Sequence, residues 1–274
     1  MTSVKVSLLL VAAAALIFGA SPARALENPK VFRGILLLEG KIVRGDYDRL
    51  RAFLSDKTIF DKINGGVFLA SPGGDVAEAI RIGRLIRALN LSTEAPSGRP
   101  TANKPFAPSI EADDLVNPRQ DAGCASACFL LFVSGIYRNI NWAGRLGVHR
   151  PFRVRANMQP VRTSADPFVD IAVRHAIESY LREMDVPAKY ADLMFSTAPN
   201  KVRWITQEEL DSDLDGLIPE LKKHVDVKCG GPALPKSIEQ HGGEADCRAD
   251  LEWRLRAELP GKAWPLVFGE PGQL

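Results

Sequence analysis

Cys124-Ala125-Ser126-Ala127-Cys128-Phe129-Leu130-Leu131-Phe132-Val133-Ser134-Gly135 is the stretch on which the reading of this chain turns. One small hydroxyl residue stands between two alanines, with a cysteine on either side, at the mouth of an apolar run. The run predicts a buried helix that starts at or near Ser126 and ends near Gly135. A helix start presents oriented N–H groups and the positive end of a dipole, so a nucleophile is well placed there. Downstream, Gly147-Val148-His149-Arg150-Pro151 sets a histidine at the end of a short apolar stretch. Upstream, Ala70-Ser71-Pro72-Gly73-Gly74-Asp75 ends another apolar run in a paired glycine. Nucleophilic acyl chemistry needs these residue types: a hydroxyl, a base, and a backbone turn that can aim N–H groups at an oxyanion. Each also has a plainer reading on its own. Ser126 could be a helix cap, Gly73-Gly74 an ordinary strand-to-helix turn, and His149 a structural histidine. Ala-Ser-Ala is not the Gly-x-Ser-x-Gly elbow of the α/β-hydrolases.

Working outward, Gly34-Ile35-Leu36-Leu37-Leu38-Glu39-Gly40 reads as a strand. Its apolar run is continuous, which suits a sheet covered on both faces. Residues 46–54 carry Tyr47, Leu50 and Leu54 at helical spacing. A second strand, 66–70, runs into the glycine pair. Asp75 and Glu78 then form a capping pair for a helix to Leu89. Val76, Ile80, Gly83, Ile86 and Leu89 make its apolar face, and Arg81, Arg84 and Arg87 read as its solvated side. A third strand is expected over 91–95. Residues 97–121 hold four prolines and little periodicity, and read as a surface insertion. Short strands are expected over 136–141 and 145–149. Residues 166–184 are the clearest helix, with Val169, Ala172, Val173, Ala176, Ile177, Tyr180, Leu181 and Met184 in one stripe. Another helix begins at Pro187, and Thr206-Gln207-Glu208-Glu209 is a capping box. Strands alternating with helices argue for right-handed βαβ units. In such sheets the site gathers at strand ends and helix starts.

The chain has 274 residues and 46% hydrophobic content, enough for one sizeable core. Residues 1–25 read as a signal peptide: Lys5, an apolar stretch of 11 residues over 8–18, and Ala23-Arg24-Ala25 before the cut. The mature chain then starts at Leu26 and is exported, in a bacterium to the periplasm. Removing Lys5 and Arg24 leaves 33 basic and 33 acidic residues, so no basic field draws nucleic acid. Four cysteines in an exported chain point to disulfides. Cys229 and Cys247 lie in a polar C-terminal segment and are natural partners. Cys124 and Cys128 are rather far apart for a bridge on a regular helix, so that pair needs an irregular turn. Cross-pairing with the C-terminal cysteines stays open. His175, His224 and His241 show no metal-ligand spacing with His149 or with each other, and no metal is expected.

Taken in order, Ser-Pro-Gly-Gly, a small-Ser-small helix start and a strand ending in Val-His-x-Pro resemble the proteolytic subunit of the Clp protease, of the Clp/crotonase superfamily. The resemblance takes in Ile35-Leu36-Leu37-Leu38-Glu39-Gly40-Lys41-Ile42, and the late corner Trp204-Ile205-Thr206-Gln207-Glu208-Glu209-Leu210 with Gly216-Leu217-Ile218. It covers roughly 33–220, with 97–121 inserted. It implies an α/β fold, the Clp/crotonase-like ββα spiral with right-handed βαβ units, over 26–224. A small disulfide-bearing C-terminal appendage, 225–274, follows. The resemblance implies Ser126 as nucleophile, His149 as general base, and the N–H groups of Gly74 or Gly73 and of Ala127 as the oxyanion hole. The family's third member, an aspartate, falls here at Val202. Asn200 stands in for it, with Asp192 and a bare Ser-His dyad as alternatives. The expected partner is a peptide or protein substrate. The 166–184 helix implies a homo-oligomer, because the corresponding helix joins rings in the family. The family's ATPase partners are cytosolic, so none is expected for an exported chain. The crotonase branch binds coenzyme A, for which no residues here speak, and no cofactor is expected. Exported relatives with a Ser-Lys dyad offer another analogy, but the histidine is in place here. A non-catalytic binding or assembly module on the same fold is the second reading, motivated by the missing aspartate.

Overall fold

The computed structural model of the chain describes residues 26, 29–64, 66–95, 123–140, 145–152, 167–230 and 242–269. The expected signal segment, 1–25, and insertion, 97–121, lie outside the described residues. The sheet opens with a hairpin that the sequence reading missed. Strand β1 (Lys30–Phe32) pairs antiparallel with β2 (Ile35–Glu39) across Arg33 and Gly34. Both turn residues have positive φ, 50° and 84°, the geometry whose twist matches two antiparallel strands. The usual Asn-Gly signal is absent because an arginine takes the first left-handed place. From β2 onward the strands are parallel: β3 (Val67–Ala70), β4 (Thr93–Ala95) and β6 (Tyr137–Ile140). The last strand, β9 (Gly216–Leu217), closes the edge antiparallel to β6, giving the order β1-β2-β3-β4-β6-β9. The chain is thus mixed α/β. Leu36, Leu38, Val67 and Leu69 join the main core, whereas Leu37, Phe68 and Ala70 form a second cluster with Phe32 and Ile35. Successive side chains of a strand point to opposite faces, so both faces of the central strands are buried, as the unbroken apolar runs predict.

Helices α1 (Asp46–Ser55) and α2 (Lys57–Phe60) connect β2 to β3, and α3 (Val76–Ala88) connects β3 to β4. Asp75 caps α3, accepting the Glu78 N–H at 3.0 Å. Glu78 does not return the bond as a capping box would. Its carboxylate accepts the Tyr47 N–H at 3.0 Å and so ties α1 to α3. At the centre lies α4 (Ala127–Phe132), every residue of it buried. It is shorter than the expected 126–135 helix. The Tyr180 hydroxyl donates to its Leu130 carbonyl at 2.7 Å. Gly83 makes room for that hydroxyl, since a Cβ there would stand 1.8 Å from it.

The arginine side of α3 differs from expectation. Arg84 does lie in solvent, bound to Glu183. Arg87 does not: its guanidinium donates to the carbonyls of Ser134, Val133, Gly135 and Met184. It thereby satisfies carbonyls at and beyond the end of α4 that the short helix leaves unpaired. Burial pushes its pKa down. Spacing along α3 could not reveal this, because the carbonyls come from chain more than 40 residues away.

Helix α5 (Pro167–Glu183) matches the expected 166–184 helix, but its stripe is split. Ile177, Tyr180, Leu181 and Met184 are buried, whereas Ile171, Ala172 and Ala176 are exposed. The Val169 side chain lies outside the described residues. Helix α6 (Lys189–Ser196) and strand β8 (Arg203–Trp204) follow. Then α7 (Gln207–Glu209) opens on the expected capping box, with Thr206 and Glu209 each accepting the other's backbone N–H. The C-terminal part carries the expected disulfide. The bond joins Cys229, just past α8 (Pro219–Lys228), to Cys247 in α9 (Gly242–Phe268). The far end of α9 then enters the main core through Trp264 and Phe268. The Trp264 indole donates to the Leu54 carbonyl at 2.9 Å, and its ring meets Phe60.

Candidate active site

Three short strands form a second sheet, β5 (Cys124–Ala125), β7 (Leu146–Val148) and β8, in the order β5-β7-β8. Ser71 joins this sheet to the large one. It follows β3 directly, and it then bridges to Cys124: its N–H donates to Gly123, and its carbonyl accepts from Ala125. The next residues, Pro72-Gly73-Gly74, are thereby carried across the start of α4. Ser71 Oγ accepts the Gly73 N–H at 3.0 Å. Ile42 clamps the other side, donating its N–H to the Gly73 carbonyl and accepting the Asp75 N–H, both at 2.9 Å. Gly73 and Gly74 have φ of 94° and 150°. A Cβ on Gly73 would lie 2.6 Å from Ser126 Cβ and 2.8 Å from the Ala127 nitrogen. The glycine turn thus touches the residue expected as nucleophile and the N–H beside it. Among the described residues no protein acceptor takes up the N–H of Gly74 or of Ala127. Of the two glycines proposed for the oxyanion hole, only Gly74 retains an uncommitted donor.

Ser126 has φ 59° and ψ −124°, a conformation that non-glycine residues rarely adopt. It is half-buried, and it stands at the N-cap position of α4 without a side-chain cap hydrogen bond. Its backbone is held from both sides. The Ser126 N–H donates to Gly147 at 2.9 Å, and its carbonyl accepts the Phe129 N–H at 3.0 Å. The reversal from strand to helix at one residue is what turns the Ser126 side chain out of the α4 capping position. The Cys124–Cys128 disulfide spans this reversal, with a Cα–Cα distance of 5.2 Å. The pairing left open by the sequence is therefore local. Both C-terminal cysteines pair with each other, as expected from their segment.

Strand β5 runs parallel to β7 with Ala125 opposite Gly147. Ser126 accordingly lies beside Val148, and His149 is the next residue along. The imidazole is half-buried, with Phe152 against its ring at 5.7 Å between centroids. Its Nδ1 lies 2.9 Å from the Arg150 carbonyl. A carbonyl only accepts, so Nδ1 is the donor in this bond, and in the neutral ring that leaves the lone pair on Nε2, the tautomer a general base needs. Ser126 Oγ and His149 are neighbours by register but share no hydrogen bond in this structure.

The candidates for a third member fall elsewhere. Asn200 is exposed, in the turn between α6 and β8, and makes no hydrogen bond to His149. Asp192 is bound to Arg174 on the outer side of α6. Strand β8 runs antiparallel to β7 with Val148 opposite Arg203, so the next pair outward is His149 and Val202. An apolar side chain thus occupies the place beside the histidine. The sequence reading missed Ser71, Ile42 and the Arg150 carbonyl. Ser71 holds the glycine turn through its hydroxyl and Ile42 through its backbone, and a backbone group leaves no mark in residue type.

No protein-family model matches the chain, and no curated protein does. Among solved structures, the chain is similar to a mutant of the 1510-N membrane-bound stomatin-specific protease, at 16% identity over 70% of this chain and 83% of that one (TM-score 0.44). A second mutant of that protease, in complex with a substrate peptide, is 16% identical over 65% and 71% (TM-score 0.43). A mutant of ClpP1 from Listeria monocytogenes is 14% identical over 65% and 86% (TM-score 0.41).

Proposed function

We propose that the chain is an exported serine hydrolase of the peptidase kind. The observation that carries this is the backbone of Ser126. A non-glycine residue at φ 59° costs on the order of 1–3 kcal/mol, and such strain persists where the surroundings enforce it, commonly at active sites. In the proposed reaction Ser126 Oγ attacks the acyl carbonyl while His149 Nε2 takes its proton. The N–H groups of Gly74 and Ala127 hold the oxyanion that forms. His149 returns the proton to the leaving amine, and water then hydrolyses the acyl-enzyme by the same route. The Arg150 carbonyl, holding Nδ1–H, orients the imidazole and fixes its tautomer as a triad carboxylate does, without supplying its charge. A fluorophosphonate reagent should add one adduct to the wild-type chain, seen in the intact mass. A chain that stays unmodified at millimolar reagent loses this reading.

With Nδ1 already held, Asn200→Ala should change the labelling rate by less than about threefold, since an exposed amide without a bond to the ring contributes little. A drop of a hundredfold would make Asn200 the third member after all. One observation favours the second reading, a non-catalytic module: the apolar Val202 beside His149 offers the imidazolium no charge partner. Two disulfides support export, since such bonds persist in oxidising compartments. The expected mature N-terminus is Leu26, which N-terminal sequencing reads directly. Ile171, at 64% exposure, and the exposed Ala172 and Ala176 support self-association through α5. Light scattering that gives a monomer mass at all micromolar concentrations speaks against it.

A further inference from the structure

The Cys124–Cys128 disulfide encloses Ser126 at its midpoint, two residues from each sulfur. We propose that this bond is a positioning brace for the nucleophile, rather than a general staple of the fold. The inference rests on the hydrolase reading above. Cys124 belongs to strand β5 and is fixed there, its N–H donating to Arg145 at 2.9 Å. Cys128 belongs to α4. Both are fully buried, at 0% exposure. An extended strand and a helix meet at Ser126, and nothing in a strand-to-helix junction by itself keeps residues four apart within 5.2 Å. Were the junction to open, Ser126 could relax to negative φ, which L-residues prefer. Its hydroxyl would then swing away from the glycine turn.

The other restraints on Ser126 are single backbone hydrogen bonds, to Gly147 and from Phe129, and contact with Gly73. These can break and re-form locally, whereas the covalent bond removes the open state. The loop it closes is short, so it restricts the unfolded chain less than the 18-residue Cys229–Cys247 separation does, and loop closure favours the latter for global stability. The two disulfides therefore divide their roles. The one at Ser126 sets reactivity, and the one between α8 and α9 sets stability.

The test compares Cys124→Ala/Cys128→Ala with Cys229→Ala/Cys247→Ala, both under fluorophosphonate labelling and thermal melting. The first pair should label Ser126 at least about tenfold more slowly at saturating reagent, as displacement of a reacting atom by about 1 Å does. Its half-saturating reagent concentration should stay within about twofold of wild type, a split that general loosening of the fold does not produce. The second pair should label at the wild-type rate while melting at a lower temperature than the first. Equal labelling of Cys124→Ala/Cys128→Ala and wild type overturns the brace. A second preparation keeps both sulfurs: the Cys229→Ala/Cys247→Ala chain, folded with and without reductant. If neither the alanine pair nor the reduced preparation folds, the bond serves the fold, and the inference is overturned. If the wild type itself does not label, the hydrolase reading fails, and the crystal structure of Cys124→Ala/Cys128→Ala decides the brace alone. Ser126 at negative φ upholds it, and Ser126 still near 59° overturns it.

Discussion

Ser126→Ala is expected to abolish fluorophosphonate labelling and to lower any peptidase rate by at least about a thousandfold, the scale on which removal of a nucleophile acts. The fold should hardly notice. Ser126 Oγ caps no helix, so no hydrogen bond to α4 is lost, and a methyl group fits where a hydroxymethyl did. Alanine pays the same backbone strain as serine at φ 59°. Urea unfolding should therefore agree with wild type within about 1 kcal/mol. The contrast between lost chemistry and retained stability distinguishes a nucleophile from a structural serine. Full labelling at another residue in the alanine variant would place the reactive centre elsewhere.

Gly74→Ala should have the largest effect on stability. A Cβ there would stand 2.0 Å from the Ile42 carbonyl oxygen and 2.9 Å from its nitrogen, at φ 150°. The obstacle is backbone, and it is fixed by the bonds from Ile42 to Gly73 and from Asp75 to Ile42. Relief requires breaking both, at about 1 kcal/mol each, on top of about 1–2 kcal/mol for the strained φ. The expected loss in urea unfolding is roughly 3–4 kcal/mol, and labelling should fall with it, because the proposed oxyanion hole uses the Gly74 N–H. Gly261→Ala is the control. Nothing lies within 4 Å of its Cβ position and it sits inside α9, so alanine there should be neutral or slightly stabilising. A loss below about 1 kcal/mol for Gly74→Ala would contradict the steric account of the turn.

Much of the layout of the candidate site was legible because it follows from local chemistry. A glycine pair after an apolar strand, a serine at a helix start and a histidine at a strand end are readable without the fold. The fold adds that Ser71 steers the glycine turn from one sheet to the other. The 166–184 helix and the Thr206 capping box were legible for the same reason, as spacing and end signals within one element. What escaped the sequence depends on distant chain. Arg87 looks like a solvent arginine along α3 until the end of α4 and the Met184 carbonyl close over it. Trp264 and Phe268 look like part of a tail until α9 returns them to α1 and α2. Val202 was placed by resemblance, and the β7–β8 register puts it next to His149. The Arg150 carbonyl that holds the imidazole could not be anticipated, since every residue has one.

The central claim is that Ser126, His149, Gly74 and Ala127 form one acyl-transfer site. The structure of the wild-type chain bearing a phosphonate adduct measures it most directly. The account predicts the adduct on Ser126 Oγ, with one phosphonyl oxygen about 2.7–3.1 Å from the N–H groups of Gly74 and Ala127. His149 Nε2 should come within hydrogen-bond reach of the serine oxygen, with its Nδ1 still held by the Arg150 carbonyl. An adduct whose phosphonyl oxygens all point into solvent, with His149 turned away from Ser126, would contradict the account.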